Sequence, residues 1–305
     1  MPRFRKRLKN NAIYLGVSAV SAFFNAVPRE VAVFIGSLFG FLGYLLYSKD
    51  RYRADRHLRF AFGDKLSQAE RNKIIRRMFI NFGANFSDAV RIKKYFHSEL
   101  RPVIDVEGIE YFEEVYNRGR GVIGVTGHIG NFELLAAYFA GVGYKAAAIG
   151  RELYDKRLNA LLVTNRESLG LVNIDTKDSP RRILECLKSG YVLGVLIDTD
   201  SFRVRGKMIP SFGRLSNTPV GQSIIGLRSG AGFVPVVCVR NGRKYKVIVK
   251  PEVTIERSDD FETDVYNITK KCTEALEGII NEYKDQWIWM HNRWRTRIKK
   301  EDLTQ

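Results

Sequence analysis

A histidine and a glutamate lie five residues apart in the run Gly127-His-Ile-Gly-Asn-Phe-Glu133. An imidazole with a pKa near 6.5 can take a proton from a hydroxyl at neutral pH and so make that hydroxyl a nucleophile. A carboxylate that hydrogen-bonds the imidazole fixes its tautomer and stabilises the imidazolium that forms. These residue types predict that His128 is a general base and that Glu133 is its partner. The reaction that suits such a pair is the transfer of an acyl group to a hydroxyl.

The local sequence decides whether the two side chains can meet. Within one helix, residues five apart would diverge by about 140°, so the pair can converge only if His128 lies in a turn ahead of the helix. Gly127 and Gly130 provide such a turn, and Asn131 is suited to cap the helix that follows. The alternative is that His128 only hydrogen-bonds this turn and that Glu133 is a solvated residue at the start of the helix.

Three more charged residues stand directly after predicted strands. Arg151 follows a strand at 145–149, and Asp198 and Asp200 follow a strand at 191–197. Ligands of open α/β sheets bind beyond the carboxyl ends of the strands, so these side chains are candidates for the same site as His128. The alternative is surface pairing for the arginine and capping of the strand end for the aspartates.

The cysteines do not have the spacing of metal ligands. Cys186, Cys238 and Cys272 are scattered along the chain, and they are predicted to be reduced and mostly buried. No metal is therefore expected. His291 lies among tryptophans and is expected to pack against them.

From about residue 103 onward, short apolar runs alternate with amphipathic stretches, which predicts buried strands alternating with helices. Gly242-Arg243 joins the last two strands as a hairpin, so the sheet is mixed. The sequence therefore predicts an α/β fold with a largely parallel sheet flanked by helices. The predicted strands are 121–125, 145–149, 171–174, 191–197, 233–239 and 245–249, and the predicted helices are 131–140, 155–169, 179–188, 218–230 and 264–283.

Two further helix starts are marked by capping residues. Ser67 and Glu70 have the spacing of a capping box, which opens an amphipathic helix that continues to about residue 92. Ser179 precedes Pro180 and is expected to cap the helix at 179–188.

Basic residues are concentrated around the most apolar part of the chain. The net charge is +17, and residues 1–60 contain eleven Lys and Arg residues and three acidic residues. Two apolar runs, 12–27 and 31–47, are close to the minimum length for crossing a bilayer. Arms that bind nucleic acid rarely contain such runs, so the pattern favours a membrane surface and no nucleic-acid partner.

The sequence divides into a membrane-associating helical segment, residues 1–50, and a catalytic domain, residues 51–305. The length of the apolar runs leaves three arrangements open for the first segment. It can span the bilayer, dip into it as a shallow hairpin, or pack as a buried helix pair.

Several ordered blocks resemble one protein family. Residues 126–135 are similar to the His-x4-Asp/Glu motif of the lysophospholipid acyltransferase superfamily, in the Glu form typical of the lipid A late acyltransferases (the lauroyl/myristoyl acyltransferase family). Later blocks resemble the Asp-Gln-Asp, Val-Pro-Phe-Phe-Gly, Thr-x-x-Gly and Trp-Met-His-Arg-Arg-Phe segments of that family. Those blocks are residues 196–200, 209–213, 217–221 and 287–295, and residues 55–59 and 67–71 match its basic N-terminal helices. Thr199 stands where the family usually has Gln, and the flanking aspartates are kept.

The resemblance implies a glycerolipid-acyltransferase-like fold and transfer of a fatty acyl chain from acyl carrier protein to a hydroxyl of a lipid A precursor. It assigns the catalytic pair to His128 and Glu133, and substrate binding or oxyanion stabilisation to Arg151, Arg166 and either Asp198 or Asp200. It implies no cofactor beyond the acyl carrier protein that carries the donor, and an anionic glycolipid as acceptor. The expected location is the bacterial inner membrane, with the catalytic domain on the cytoplasmic side.

Other functions are compatible with the same residues. A lysophospholipid acyltransferase would use the same histidine but usually has Asp at the position of Glu133, and acyltransferases of mannolipids share the Glu form. A membrane protein that binds lipids without catalysis would not need His128. Acyl chain length, the hydroxyl that is acylated, the choice between acyl carrier protein and coenzyme A, and the oligomeric state do not follow from the sequence.

Overall fold

The N-terminal part is entirely helical. The computed structural model describes residues 2–176, 178, 180–201 and 204–296. Its first helices are α1 (Pro2–Ala26), α2 (Arg29–Leu46), α3 (Ser48–Phe62), α4 (Gln68–Ala89) and the short α5 (Ile92–Tyr95). The two predicted apolar runs form α1 and α2, which are separated at Pro28 because proline fits the start of a helix rather than its interior. Within the described part of the chain, α2 is the one helix long and apolar enough to cross a membrane, judged by length and composition.

The helix α4 begins at the predicted capping box. The Ser67 hydroxyl accepts a hydrogen bond from the backbone N–H of Glu70, and the Glu70 carboxylate accepts one from the backbone N–H of Ser67. This arrangement satisfies two of the donors that a helix start leaves unpaired. The capping prediction for residues 67–70 is therefore confirmed.

Glycines let α2 cross α4 at very short range. A Cβ atom on Gly83 would lie 2.1 Å from the carbonyl oxygen of Gly36, and one on Gly40 would lie 2.2 Å from the carbonyl oxygen of Phe79. Any side chain larger than hydrogen would force the helices apart. The two helices are also joined by a buried ion pair between Arg29 and Asp88, at 2.9 Å.

A seven-stranded sheet forms the centre of the molecule, with the strand order β1-β9-β8-β2-β5-β3-β4. The strands β8, β2, β5, β3 and β4 are parallel, whereas β9 runs antiparallel to β8 and β1 pairs in parallel with β9. This mixed, largely parallel sheet confirms the predicted fold class and the predicted hairpin. The strands are β1 (Ile104–Glu107), β2 (Val122–Thr126), β3 (Ala146–Gly150), β4 (Val172–Asp175), β5 (Val192–Leu196), β6 (Gly206–Ser211), β7 (Arg214–Pro219), β8 (Gly232–Asn241) and β9 (Lys244–Val249).

Helices cover both faces of the sheet. On one face, α6 and α7 pack over β3, β8 and β9, and on the other, α9, α10 and α11 pack over β2, β5 and β8. Each face has its own apolar cluster, as expected for strands buried on both sides. The helices are α6 (Ile109–Tyr116), α7 (Phe132–Gly141), α8 (Lys156–Glu167), α9 (Pro180–Lys188), α10 (Gly221–Ser229) and α11 (Phe261–Glu282). Ser179, the predicted cap of α9, lies outside the described residues.

The hairpin of β6 and β7 is a separate two-stranded sheet that the sequence does not predict. Thr218 and Pro219 end β7, so the helix predicted at 218–230 begins only at Gly221. The two strands are joined by Phe212 and Gly213, which both have positive φ, at 49° and 72°. Positive φ at both central residues matches the twist of a tight hairpin, and the ring of Phe212 packs against Trp287 and Trp289.

Candidate active site

His128 lies in the turn between the end of β2 and the start of α7, as predicted. Residues 286–288 of the C-terminal segment, which follows α11, hydrogen-bond the backbone of this turn. The backbone N–H of Ile288 donates to the carbonyl of His128 at 3.0 Å, and the N–H of Gly130 donates to the carbonyl of Gln286 at 2.9 Å. The side chain of Asn131 accepts from the N–H of Leu134 at 3.1 Å, which confirms it as the cap of α7.

Two glycines make room for the turn. Gly130 has a φ of 59°, and a Cβ atom there would lie 2.0 Å from the carbonyl oxygen of Cys238. A Cβ atom on Gly127 would lie 2.8 Å from the carboxylate oxygen Oδ2 of Asp198. Glycine at these positions therefore allows the turn to press against both the neighbouring strand and the aspartate.

Asp198 is the carboxylate that holds the imidazole. Its Oδ1 lies 2.8 Å from Nδ1 of His128, and its Oδ2 accepts from the backbone N–H of the same histidine at 2.6 Å. Oδ2 also accepts from Nε1 of Trp287 at 2.7 Å. The carboxylate thus assigns the proton of His128 to Nδ1 and leaves Nε2 as the basic nitrogen. No group in the described part of the chain hydrogen-bonds Nε2 of His128, and the side chain is 28% exposed.

The environment favours the protonated form of His128. Burial lowers the pKa of the imidazole, but the charge of Asp198, its hydrogen bond and the charge of Glu133 outweigh burial, so the pKa of His128 is raised. The pKa of the Asp198 carboxyl is held well below its ordinary value: burial would raise it, and the His128 charge and hydrogen bond lower it. The aspartate therefore stays ionised and can stabilise an imidazolium.

Glu133 binds an arginine rather than the histidine. Its two oxygens accept from Nη2 and Nε of Arg166 at 2.6 and 2.8 Å, and Nη1 of Arg166 donates to Asn173 at 3.0 Å. No hydrogen bond joins Glu133 to His128 among the described residues, although its charge acts on the imidazole. The predicted direct contact between the two is therefore not formed here, and a catalytic role for Glu133 stays a prediction.

Arg151 and Asp200, which were predicted to belong to the site, lie in different environments. Arg151 is exposed directly after β3. The Asp200 carboxylate is buried and accepts from the backbone N–H groups of Arg295 and Thr296 at 3.0 and 2.8 Å, so it fastens the C-terminal segment. The sequence left open which aspartate lines the site, and Asp198 is the one beside His128.

Two C-terminal residues were missed as site residues by reasoning from the sequence. The indole N–H of Trp287 donates to Asp198. The ring of His291 packs edge-on against the ring of Trp287, as predicted for this histidine. The ring of His291 is also 5.6 Å from the ring of His128, and its Nε2 lies 3.5 Å from Oδ2 of Asp198. The 287–295 block, rich in aromatic residues and matched to a family segment, was the available signal.

His128, Asp198 and His291 offer ligand atoms within 4.8 Å of one another, a spacing that a metal ion could use, in the part of the chain described. Both oxygens of Asp198 are already occupied by the N–H groups of His128 and Trp287. Hydrogen bonds therefore account for the position of Asp198 and His128, whereas the two ring nitrogens of His291 are buried without a hydrogen-bond partner among the described residues.

A narrow apolar cavity of about 50 Å³ lies beside the site. Glu133, Arg166 and Phe132 line it, and the ring of Phe132 is 5.3 Å from that of His128. Its other walls are formed by small and apolar residues of the sheet and of α7, including Gly124, Gly194, Ala136, Ala148 and Phe139. A slot of this size has room for a short stretch of unbranched hydrocarbon chain.

The model of the bacterial lipid A biosynthesis acyltransferase family matches residues 1–296. The chain belongs to this family. The match spans the N-terminal helices as well as the sheet.

Relatives of this acyltransferase act on different glycolipids. The chain is 24% identical over 302 residues to the lipid A biosynthesis lauroyltransferase of Escherichia coli, covering 97% of this chain and 96% of that protein. It is 23% identical over 225 residues to a phosphatidylinositol mannoside acyltransferase of Mycolicibacterium smegmatis, covering 72% of each. Among solved structures, the acyltransferase PlsC of Thermotoga maritima aligns with a TM-score of 0.38 and 16% identity, over 82% of this chain and 98% of that chain.

Proposed function

We propose that the protein transfers a fatty acyl chain from acyl carrier protein to a hydroxyl of a lipid A precursor, with His128 as the general base. One observation carries the proposal. The imidazole of His128 is fixed through Nδ1 by a buried, ionised aspartate, Nε2 has no hydrogen-bond partner among the described residues, and the neighbouring Phe132 lines an apolar cavity. A base in this state can take a proton from a hydroxyl, and the cavity beside it suits the acyl chain.

In the proposed reaction, the acceptor hydroxyl oxygen attacks the carbonyl carbon of the donor thioester while Nε2 of His128 takes its proton. The carbon–sulfur bond of the tetrahedral intermediate then breaks, and the leaving thiolate receives that proton from the imidazolium. Asp198 stabilises the imidazolium between the two steps. No serine or cysteine stands in a Gly-x-Ser-x-Gly elbow, so direct attack without an acyl-enzyme is the simpler route.

The two predicted arginines, Arg166 and Arg151, receive supporting roles. Arg166 holds Glu133 in place beside the cavity, and the exposed Arg151 is available to an anionic group of the substrate. The net charge of +17 favours encounter with an acidic carrier protein and with anionic lipid.

A second acceptor class is a mannolipid. The similarity to a phosphatidylinositol mannoside acyltransferase supports it, because that identity, 23% over 225 residues, is close to the 24% over 302 residues found for the lipid A lauroyltransferase. Both acceptors are anionic glycolipids with free hydroxyls, so the same base would serve either.

The test is to incubate the full chain in lipid vesicles with lauroyl- or myristoyl-acyl carrier protein and a tetraacylated lipid A precursor. Parallel reactions use the coenzyme A donor and a phosphatidylinositol mannoside acceptor. His128→Ala is expected to lower the rate roughly 10²- to 10⁴-fold, whereas His97→Ala, at an exposed histidine, should keep it. Normal transfer by His128→Ala would refute the catalytic assignment, and a wild type that transfers nothing with any donor or acceptor would leave a lipid-binding protein.

We also propose that the protein lies on the inner membrane with the site on the cytoplasmic side. Exposed apolar residues of α2, including Phe34, Leu38 and Leu46, support insertion. Binding by charge alone would be released by washing with concentrated salt, whereas binding by α2 should withstand it. Quantitative release into the salt wash would contradict insertion.

A further inference from the structure

A second apolar depression lies between α2 and α4, away from the cavity at Glu133. It has a volume of about 380 Å³, and Asp50 is the one charged residue among those that line it in the described structure. We call it the α2–α4 groove and define it by Phe39, Gly40, Gly43, Phe82, Phe86 and Met290.

The groove is open because glycines replace side chains on its floor while phenylalanines form its rim. Gly40 presses against the backbone of Phe79, and Gly43 leaves a space in which a Cβ atom would meet only ring carbons, the nearest at 3.5 Å. Three rim residues are unusually exposed for phenylalanine, Phe39 at 51%, Phe82 at 45% and Phe86 at 40%. Contiguous apolar surface of this kind indicates contact with another apolar body.

The groove leads from the apolar helix towards the catalytic histidine. Met290 lines it, and the next residue, His291, lies against His128 and Asp198. The ring of Phe132, 5.3 Å from that of His128, lines the cavity proposed for the donor chain. Both apolar sites thus approach one base, as a reaction between two lipids requires.

Charge identifies the kind of lipid that fits. The helix α3 begins two residues after the end of α2, and Lys49, Arg51 and Arg53 lie in its first two turns. Arg53 donates to the carbonyl of Met290 at 3.0 Å and to the Asp50 carboxylate at 3.1 Å, so its charge beside the groove is paired with Asp50, and Lys49 and Arg51 add positive charge to this end. A lipid with its chain in the groove would bring an anionic headgroup next to these residues.

We propose that the α2–α4 groove binds one hydrocarbon chain of the acceptor glycolipid and so presents the acceptor hydroxyl to His128 from the membrane side. This inference rests on the proposed function, because it assigns the second substrate of that reaction. The donor chain occupies the cavity at Glu133, and the acceptor chain occupies the groove.

Photo-crosslinking tests the site without requiring turnover. The full chain in phosphatidylglycerol vesicles is irradiated with a lipid A precursor that carries a diazirine at the end of one acyl chain, and the labelled peptides are mapped. Label is expected on residues 36–47 and 79–86, and excess unlabelled precursor should reduce it several-fold while equal added phospholipid does not. Absence of label from both segments, or equal competition by phospholipid, would overturn the proposal.

A filled groove provides the kinetic test. Gly43→Leu adds a side chain to the open floor without meeting backbone, and Gly278→Leu on α11 adds the same side chain where no atom lies within 4 Å. Gly43→Leu should raise KM for the acceptor by about tenfold, the effect of losing contact with roughly two methylenes. Gly278→Leu should leave the acceptor KM and the slow hydrolysis of the acyl donor without acceptor unchanged.

The outcomes separate the two proposals. Unchanged acceptor KM in Gly43→Leu, with normal transfer by the wild type, would overturn the groove alone. A wild type that transfers nothing would overturn the proposed function, and the crosslinked positions would still decide whether the groove binds an acceptor chain.

Discussion

At the scale of single residues, the site depends on which carboxylate touches His128. Asp198 provides both contacts, to Nδ1 and to the backbone N–H, and lies 70 positions away in the sequence. Glu133 is close in sequence but binds Arg166. His128 and Asp198 were therefore identifiable from their positions after strands and Glu133 from its spacing to His128, whereas their pairing depends on side-chain geometry that sequence spacing does not encode.

The first prediction concerns the pH dependence of transfer. His128 must be neutral to act as a base, so its raised pKa puts the acidic limb of the rate profile above about pH 6.5. Asp198→Asn removes the charge that raises this pKa. The limb should therefore move to lower pH, and the maximal rate should fall roughly 10²- to 10⁴-fold because the imidazolium loses its counter-charge.

The control for this prediction is Asp200→Asn, in the same loop but bonded to the C-terminal backbone. It should leave the position of the limb unchanged. With rising pH, the folding stability contributed by this pair changes in the opposite direction to the transfer rate. The pair of His128 and Asp198 stabilises the fold fully below the ordinary pKa of histidine, and this contribution is lost as pH rises through the raised pKa of His128. A limb that does not move in Asp198→Asn would contradict the assignment.

The second prediction distinguishes a Glu133 that acts on His128 directly from one that acts with Arg166. If the two act as a unit, Glu133→Gln, Arg166→Gln and the double variant should lose similar amounts of activity, because each single change already breaks the pair. The pH limb should move much less than in Asp198→Asn. Additive losses together with a large shift of the limb in Glu133→Gln would instead support a direct pair of Glu133 and His128.

At the scale of secondary structure, small residues on adjacent strands shape the cavity beside the site. Gly124 of β2 and Gly194 of β5 are paired in register and both line it. A Cβ atom on Gly194 would approach no atom closer than 3.8 Å. A larger residue there is therefore accommodated by the fold but fills the slot.

The third prediction follows from this geometry. Gly194→Val should shift donor preference towards chains shorter by about one or two carbons, with roughly fourfold lost per methylene that no longer fits. The comparison is Val195→Ile, which enlarges the neighbouring residue, packed in the apolar cluster on the other face of the sheet. Competition between acyl carrier proteins loaded with chains of different length measures the preference. An unchanged ratio in Gly194→Val would show that the donor chain lies elsewhere.

The elements that the sequence predicted well have strong local patterns. The strands β2, β3, β4 and β5 are apolar runs between amphipathic helices, and each was located to within one or two residues. The strand β1 was missed because it has only four residues. The hairpin of β6 and β7 was missed because its strands are polar and β6 contains Pro210, which is atypical of strands. Pairing with distant segments, rather than local propensity, makes these residues extended.

At the scale of the whole molecule, one buried ionic network connects the N-terminal helices to the sheet. Asp88 of α4 accepts from Arg29 of α2 at 2.9 Å and from Arg240 of β8 at 2.6 Å. Tyr245 of β9 also donates to this carboxylate and bonds Asn131, the cap of the helix that follows His128. The N-terminal segment predicted at residues 1–50 is thus tied through one carboxylate to the catalytic part.

The fourth prediction is that Asp88→Asn destabilises the whole chain. The substitution leaves two arginines, 8% and 5% exposed, without their counter-charge, and uncompensated buried charge costs about 3–5 kcal/mol. Asp105→Asn breaks a pair whose partners are both 62% exposed, so it should cost less than about 1 kcal/mol. Chemical unfolding in detergent, followed by tryptophan fluorescence, measures both. The tryptophans lie in the C-terminal segment and not on α2 or α4. An early loss of their fluorescence signal in Asp88→Asn would therefore mean that separating the N-terminal helices also loosens the turn at His128. Equal unfolding midpoints for the two variants would mean that the network does not hold the two parts together.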